Sequence, residues 1–255
     1  MKVYVVANQK GGIGKTTTAT ALASILQEKG FKTLLIDTDV QGNSTDTFRA
    51  KVQGTATLFD VLLDVERIPI SEAIQHTEMG DIVASDPLLR RADSILDADR
   101  ADGMFRLKDE LDNLKGYDYV VVDTAPAVNS ILQNCLVAAD EVIIPITADR
   151  YGIQGLAELN NTINATKKRQ NRGLKVAGLL LVKFNRRTLL AKEVKESLEK
   201  IATEMNTKLF NTTIRESTKA REAQATRTTL IKYDNKCTTA EDYIAFVDEL
   251  IKGDD

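Results

Sequence analysis

A glycine-rich loop with a lysine at each end, Lys10-Gly11-Gly12-Ile13-Gly14-Lys15-Thr16-Thr17, follows directly on the apolar run of residues 3–7. Few folds accept that order. An apolar strand, a turn with few Cβ atoms and a helix beginning at Lys15 make a concave ring of backbone N–H groups at a helix N-terminus, where the macrodipole favours an anion. The anion expected is a nucleotide polyphosphate. Lys15 would neutralise β/γ-phosphate charge and the Thr16 hydroxyl would ligate Mg²⁺, the tasks these adjacent positions perform in a phosphate-binding loop. Gly11, Gly12, Ile13, Gly14 and Thr17 complete the expected cradle. The pattern Gly-x-x-x-x-Gly-Lys-Thr is met only in part, because the first glycine position holds Gln9 and a second lysine, Lys10, follows it. The plain alternative is a strand-to-helix turn that binds nothing, and three glycines plus Lys-Thr in this context weigh against it. Lys10 has no task in cradling phosphate within one subunit, since Lys15 already supplies the point charge. Its reach suggests a partner.

Along the chain, short β-branched runs alternate with longer amphipathic ones. Strands are expected at residues 2–7, 33–37, 119–123, 141–146, 175–184 and 209–214, and helices at 16–28, 129–138, 155–168 and 189–205, with Lys29-Gly30 as a helix stop. Runs such as Val120-Val121-Val122 and Val142-Ile143-Ile144 are apolar on both strand faces. A sheet covered on both sides is therefore implied: an α/β fold with a doubly wound, mostly parallel twisted sheet and helices on both faces. Residues 50–115 read as mostly helical, with a possible strand at 81–84 and no interpretable motif. At 255 residues and 43% hydrophobic, the chain has ample core material for the single domain expected over 1–255.

In an open parallel sheet the chemistry collects at the carboxyl ends of the strands. Acidic motifs stand there: Asp37-Thr38-Asp39-Val40-Gln41-Gly42-Asn43 after the second strand and Asp123-Thr124-Ala125-Pro126 after the third. Asp123 suits a carboxylate holding Mg²⁺ opposite the Thr16 hydroxyl. Asp39 would lie near the γ-phosphate, touching the metal shell and orienting the attacking water. Ordinary readings are a strand-ending aspartate for Asp123 and an Asx turn before Gly42 for Asp39. Asp37 reads as structural, or as support behind the metal.

Residue by residue, the loop resembles the deviant Walker A loop of the ParA/MinD family of P-loop ATPases. That resemblance implies ATP as ligand, Mg²⁺ as cofactor, and Lys10 as the lysine that contacts phosphates bound by the other subunit of an ATP-sandwiched homodimer. Lys10, Lys15 and Asp39 are then the catalytic candidates, and Thr16, Asp39 and Asp123 the metal candidates. The acidic motifs are similar to the family's Asp-x-Asp-Pro-Gln-Gly-Asn and Asp-x-Pro-Pro, except that Val40 replaces a proline and Ala125-Pro126 stands for a proline pair. Segment 181–185 resembles a stretch whose asparagine reads the adenine edge, which makes Asn185 the base-contact candidate. Segment 213–223 resembles the family's Ile-Arg loop and the helix that follows it, which lie beside the adenine and the DNA-binding surface, and this makes Ile214 and Arg215 nucleotide-contact candidates. The resemblance runs along nearly the whole chain and is weakest at 50–115.

The net charge of −3 conceals a segregation: residues 165–236 hold 18 of the 34 basic side chains and only 7 of the 37 acidic ones. Such asymmetry points to an anionic partner, nucleic acid first, against the alternative of solvated helix faces. Within the family, that favours partition proteins that bind DNA nonspecifically over MinD, whose C-terminal basic amphipathic helix binds membrane; here the C-terminus closes with acid. Candidate DNA contacts are Arg186, Arg187, Lys192, Lys195, Arg215, Lys219, Arg221 and Arg227. The expectation is a cytoplasmic, nucleoid-associated ATPase of the ParA/Soj type with weak intrinsic turnover, stimulated by a ParB-type centromere-binding partner, with no membrane association and no helix-turn-helix extension ahead of the first strand. The alternatives are a MinD-like or cargo-positioning ATPase, a vestigial ATPase serving as a binding module, and a metallocluster reductase component. Cys135 and Cys237, far apart and outside any Cys-x-x-Cys, speak against the last.

Overall fold

A computed structural model describes residues 1–184 and 189–253. The elements run β1 (Lys2–Val6), α1 (Lys15–Glu28), β2 (Thr33–Asp37), α2 (Asn43–Thr47), α3 (Leu58–Leu62), α4 (Ile70–Ala73), β3 (Ile74–Thr77) and β4 (Gly80–Val83). After a 3-10 turn at Pro87–Arg91 come α5 (Ala92–Leu96), α6 (Arg106–Asn113), β5 (Tyr119–Asp123), α7 (Ser130–Ala138), β6 (Glu141–Thr147), α8 (Arg150–Arg169) and β7 (Lys175–Val182). The chain continues through α9 (Leu189–Glu204), α10 (Thr218–Ala225), α11 (Leu230–Asp234) and α12 (Thr238–Ile251).

One seven-stranded sheet results, in the order β3-β4-β2-β5-β1-β6-β7, and every pairing is parallel except β3 with β4. Strand periodicity explains why both faces are covered. Val3, Val5, Leu34, Ile36, Val120 and Val122 enter one core, with Leu132, Cys135 and Leu136 of α7 and Leu159 and Ile163 of α8. Their sequence neighbours Tyr4, Val6, Leu35 and Val121 enter a second core, with Leu22, Ile25 and Leu26 of α1 and Tyr243, Phe246 and Val247 of α12. Successive side chains of a strand point to opposite faces, so an uninterrupted apolar run needs two helical layers. The expected fold class is the one observed.

The structure departs from the sequence reading at several places: α8 begins at Arg150 rather than 155, β7 ends at Val182 rather than 184, and two short segments beside the sheet differ in kind. Residues 209–214 form only an isolated bridge, Leu209 to Leu179, beside β7. The Glu249 carboxylate of α12 accepts the N–H groups of Asn211 at 2.8 Å and Thr212 at 2.9 Å, which removes them from any ladder. Ile214 still donates to the Leu181 carbonyl at 2.8 Å, so the segment follows the sheet edge without becoming a strand. In the uninterpreted region, β4 matches the expected strand and β3 adds an antiparallel edge over Ile-Gln-His-Thr, too short and too polar to announce itself.

Helix α1 stops where expected: Gly30 takes φ 91°, and the Gly30 and Phe31 N–H groups cap the Gln27 and Leu26 carbonyls. No described helix is long and apolar enough to cross a membrane. Strand order changes direction around β1, which has β5 on one side and β6 on the other. The crevice beyond its carboxyl end is therefore where such a sheet places a ligand.

Candidate functional site

The loop after β1 opens into that crevice. Gly14 takes φ 93°, a backbone region that a side chain would strain, and this turns the chain directly into α1. The first turn of α1 has neither a side-chain cap nor an acidic residue, so its N–H groups and dipole face a cavity of about 550 Å³. Lys15 lies at the head of that helix, 6% exposed, its ammonium donating to the Lys10 carbonyl at 3.0 Å. Burial pulls the Lys15 ammonium below its ordinary range, against the opposing pull of Asp123 and Asp39. A buried cation held by one carbonyl has donors left for phosphate oxygens.

Lys10 points elsewhere. Its ammonium sits 2.7 Å from both carboxylate oxygens of Asp149 and 3.2 Å from Thr147 Oγ1, at the end of β6. The two lysines of the loop are thereby separated: Lys15 lines the cavity, and the Lys10 side chain turns to the end of β6 outside its lining. Asn8 fixes the loop's entry, donating to the Pro145 carbonyl at 2.7 Å and accepting the Lys10 N–H at 3.0 Å.

Asp37 and Asp123 end adjacent strands in register, both fully buried. Asp37 is saturated, accepting the Thr45 N–H and hydroxyl at 2.8 Å and the Asp39 N–H at 3.1 Å. Asp123 accepts the Ser44 hydroxyl on Oδ2 at 2.8 Å, while its buried Oδ1 has no hydrogen-bond partner. An unpartnered buried carboxylate oxygen near the Thr16 hydroxyl suits a hard divalent cation. Among the described residues, no group of three His, Cys, Asp or Glu side chains converges to hold a metal unaided. Such a cation would need phosphate or water to complete its shell, as magnesium does.

Burial, and then the Asp123 charge, push Asp37 up to about 7. Burial likewise raises Asp123, against the pull of the Ser44 and Thr16 hydroxyls. Asp37 therefore binds its proton more tightly folded than unfolded. Its contribution to stability is complete below the ordinary carboxylate pKa of about 4 and is lost as pH rises through about 7. Without metal or nucleotide, the melting temperature is expected to fall from about pH 5 to about pH 8, and Asp37→Asn is expected to flatten that profile whatever its own midpoint. Thermal denaturation in a chelating buffer measures both slopes; equal slopes would remove Asp37 as the cause.

The cavity is lined by Gly11, Gly12, Ile13, Gly14, Lys15, Thr16, Thr17 and Asp39, and on its other wall by Ile214 and Arg215. Asn185, Arg186 and Arg187 lie outside the described residues, and Lys192 lies in α9 with its side chain outside them. Of the remaining DNA candidates, Arg215 is paired with Asp242 at 2.8 Å, Lys219 with Glu222 at 2.9 Å and Arg227 with Asp46 at 2.7 Å. Lys195 has Glu199 at 3.9 Å, and Arg221 lines the cavity. Exposed Lys167, Lys168, Arg169, Arg172 and Lys175, around the end of α8 and the start of β7, have no ion pair among the described residues.

The helix expected after the Ile-Arg loop is α10, which lines the cavity and where Gln224 donates to Thr17 Oγ1 at 3.3 Å; the sequence reading missed Lys183, whose ammonium donates to the Gly12 carbonyl at 2.7 Å. Lys183 takes φ 53°, an uncommon backbone for a lysine. Nothing in its local pattern signals that contact. Buried Cys135, its thiol pushed up to about 12, and partly buried Cys237 are both unbridged.

Residues 1–176 match a family model described as an AAA domain. The chromosome partitioning protein ParA of Myxococcus xanthus is 34% identical over 99% of this chain and 89% of its own length. The sporulation initiation inhibitor protein Soj of Bacillus subtilis is 32% identical over 98% of both chains. Among solved structures, cobyrinic acid a,c-diamide synthase from Mycobacterium smegmatis, with a bound ATP analogue and magnesium, superposes with a TM-score of 0.84 at 27% identity, covering 99% of this chain and 95% of that one.

Proposed function

The chain belongs to the ParA family of ATPases, and from that premise we propose that it is a magnesium-dependent ATP hydrolase whose ATP-bound homodimer binds DNA nonspecifically and drives partition of a plasmid or chromosome. One observation carries the reading: a single loop presents two lysines, and only Lys15 serves the cavity while Lys10 stands outside it. A second cation beside a complete phosphate site has a task only when another subunit's phosphates are brought to it.

Within one subunit, Lys15 and the N–H groups at the head of α1 hold the β- and γ-phosphates. Thr16 and Asp123 hold magnesium, and Asp39 orients water against the γ-phosphate. Magnesium, when bound, neutralises phosphate charge and fixes the geometry of the transferred group. The Ile214-Arg215 wall faces the base, with Asn185 its proposed reader. The intrinsic rate is weak because Lys10 reaches its target only in the dimer, and a ParB-type partner stimulates it. ATP favours the dimer, and the dimer doubles the basic surface that meets DNA, so nucleotide and DNA are coupled through one population shift. On this reading the protein works in the cytoplasm, on the nucleoid.

DNA binding is expected with ATP and not with ADP, and to weaken steeply with salt, by a slope of about 0.9 per phosphate neutralised on logarithmic axes. The basic residues around the end of α8, without an ion pair among the described residues, offer a footprint alongside Lys195. Co-sedimentation with random-sequence duplex and with anionic vesicles, across a salt series, separates DNA from membrane as the surface bound. Vesicle binding without DNA binding would overturn the partition reading.

A further inference from the structure

Asp39 is placed by its backbone more than by its side chain, whose Oδ1 accepts only the nearby Gln41 N–H at 3.0 Å among the described contacts. What holds that backbone is a closed ring of hydrogen bonds. Ser85, just beyond β4, donates its hydroxyl to the Asp39 carbonyl at 2.5 Å and its N–H to Thr45 Oγ1 at 2.9 Å. Thr45 donates to Asp37 Oδ2, and Asp37 Oδ1 accepts the Asp39 N–H at 3.1 Å, which closes the circuit. All four residues are buried, Ser85 at 2% exposed and Asp39 at 7%. The ring ties the end of β2, the start of α2 and the end of β4 into one unit, and Ser85 is the member that grips Asp39 from a different strand.

We infer that Ser85 is a positioning residue for ATP hydrolysis: by fixing the Asp39 carbonyl from the end of β4, it sets the carboxylate against the attacking water. Buried rings of this kind rigidify when every member is satisfied, and each member here has its partner. A displacement of about 1 Å at such a group is enough to cost about 100-fold in rate. The inference rests on the reading of Asp39 given above.

Steady-state hydrolysis of Mg-ATP by the full chain, with DNA present, tests it in Ser85→Ala, Asp39→Asn and the double variant. Ser85→Ala is expected to lower kcat by about tenfold or more while changing KM less than about twofold, because ground-state binding lies with Lys15 and the loop. The double variant is expected to be no slower than Asp39→Asn alone, since both changes act through one group. A second arm avoids dependence on the fold of Ser85→Ala: Thr45→Val, which breaks the ring, should lose turnover, and Thr45→Ser, which keeps the hydroxyl, should restore it. If Asp39→Asn loses turnover while Ser85→Ala keeps it, the inference fails and the reading of Asp39 stands. If Asp39→Asn itself keeps turnover, the reading of Asp39 fails and takes the inference with it. Losses that multiply in the double variant, or a loss confined to KM, would reduce Ser85 to a structural residue and overturn the proposal.

Discussion

Lys15→Ala is expected to abolish ATP binding, with affinity falling by about 100-fold or more. Hydrogen bonds to charged groups contribute about 1.5–3 kcal/mol each, and a buried ammonium between two phosphates makes more than one. Lys15 is also the cation whose charge meets both Asp123 and Asp39, so its removal leaves those carboxylates facing incoming phosphate uncompensated. Stability without nucleotide should change much less, because burial already penalises the Lys15 charge when the cavity has no anion. Titration of a fluorescent ATP analogue reads the affinity, and thermal denaturation confirms the fold. A folded Lys15→Ala protein that binds ATP as the unaltered chain does would remove the phosphate loop from its place in this site.

Lys10→Ala is expected to behave differently: ATP binding kept within a few-fold, and turnover lost by about 1,000-fold or more, the range seen for cations supplied across an interface. For the trans role the ammonium must leave Asp149 and Thr147. The Lys10 and Asp149 side chains are 29% and 41% exposed, and solvent-screened pairs hold weakly, so release is compatible with a routine step. Mixing supplies the decisive measurement. In a two-fold symmetric dimer, a Lys10→Ala subunit retains Asp39 and receives Lys10 from an Asp39→Asn partner, so one of its two sites is complete. Random pairing should then restore roughly a quarter of the turnover of the unaltered protein. If Lys10 acts within its own subunit, every site in the mixture lacks one group and nothing returns.

These expectations draw unequally on the sequence. The strand, loop and helix from Lys2 to Glu28 were legible because each signal is local: β-branched residues, then glycines, then a run rich in alanine and leucine; the expected amphipathic face is absent, since residues 18–26 of α1 are buried without a break. Asp37, Asp39 and Asp123 were legible because a parallel sheet aligns its strand ends whatever the intervening residues are. Residues 209–214 were misread for the opposite reason, since their pattern suits a strand and only the distant Glu249 carboxylate takes the N–H groups a ladder would need. The basic half of the chain was legible as charge and not as surface, because Arg215, Lys219 and Arg227 find acidic neighbours that composition does not locate.

By itself, the sequence determined that a loop of the phosphate-binding type follows the first strand, that a doubly wound sheet carries it, and that an extra lysine stands in the loop. Those conclusions rest on contiguous residues, whose backbone and charge act on one another without the rest of the chain. Tertiary structure alone decided that Lys10 turns to Asp149, 139 residues away, and that Ser85 grips Asp39 across 46. Contacts of that separation are made by the packing of strands and helices, and leave no periodicity along the chain to read.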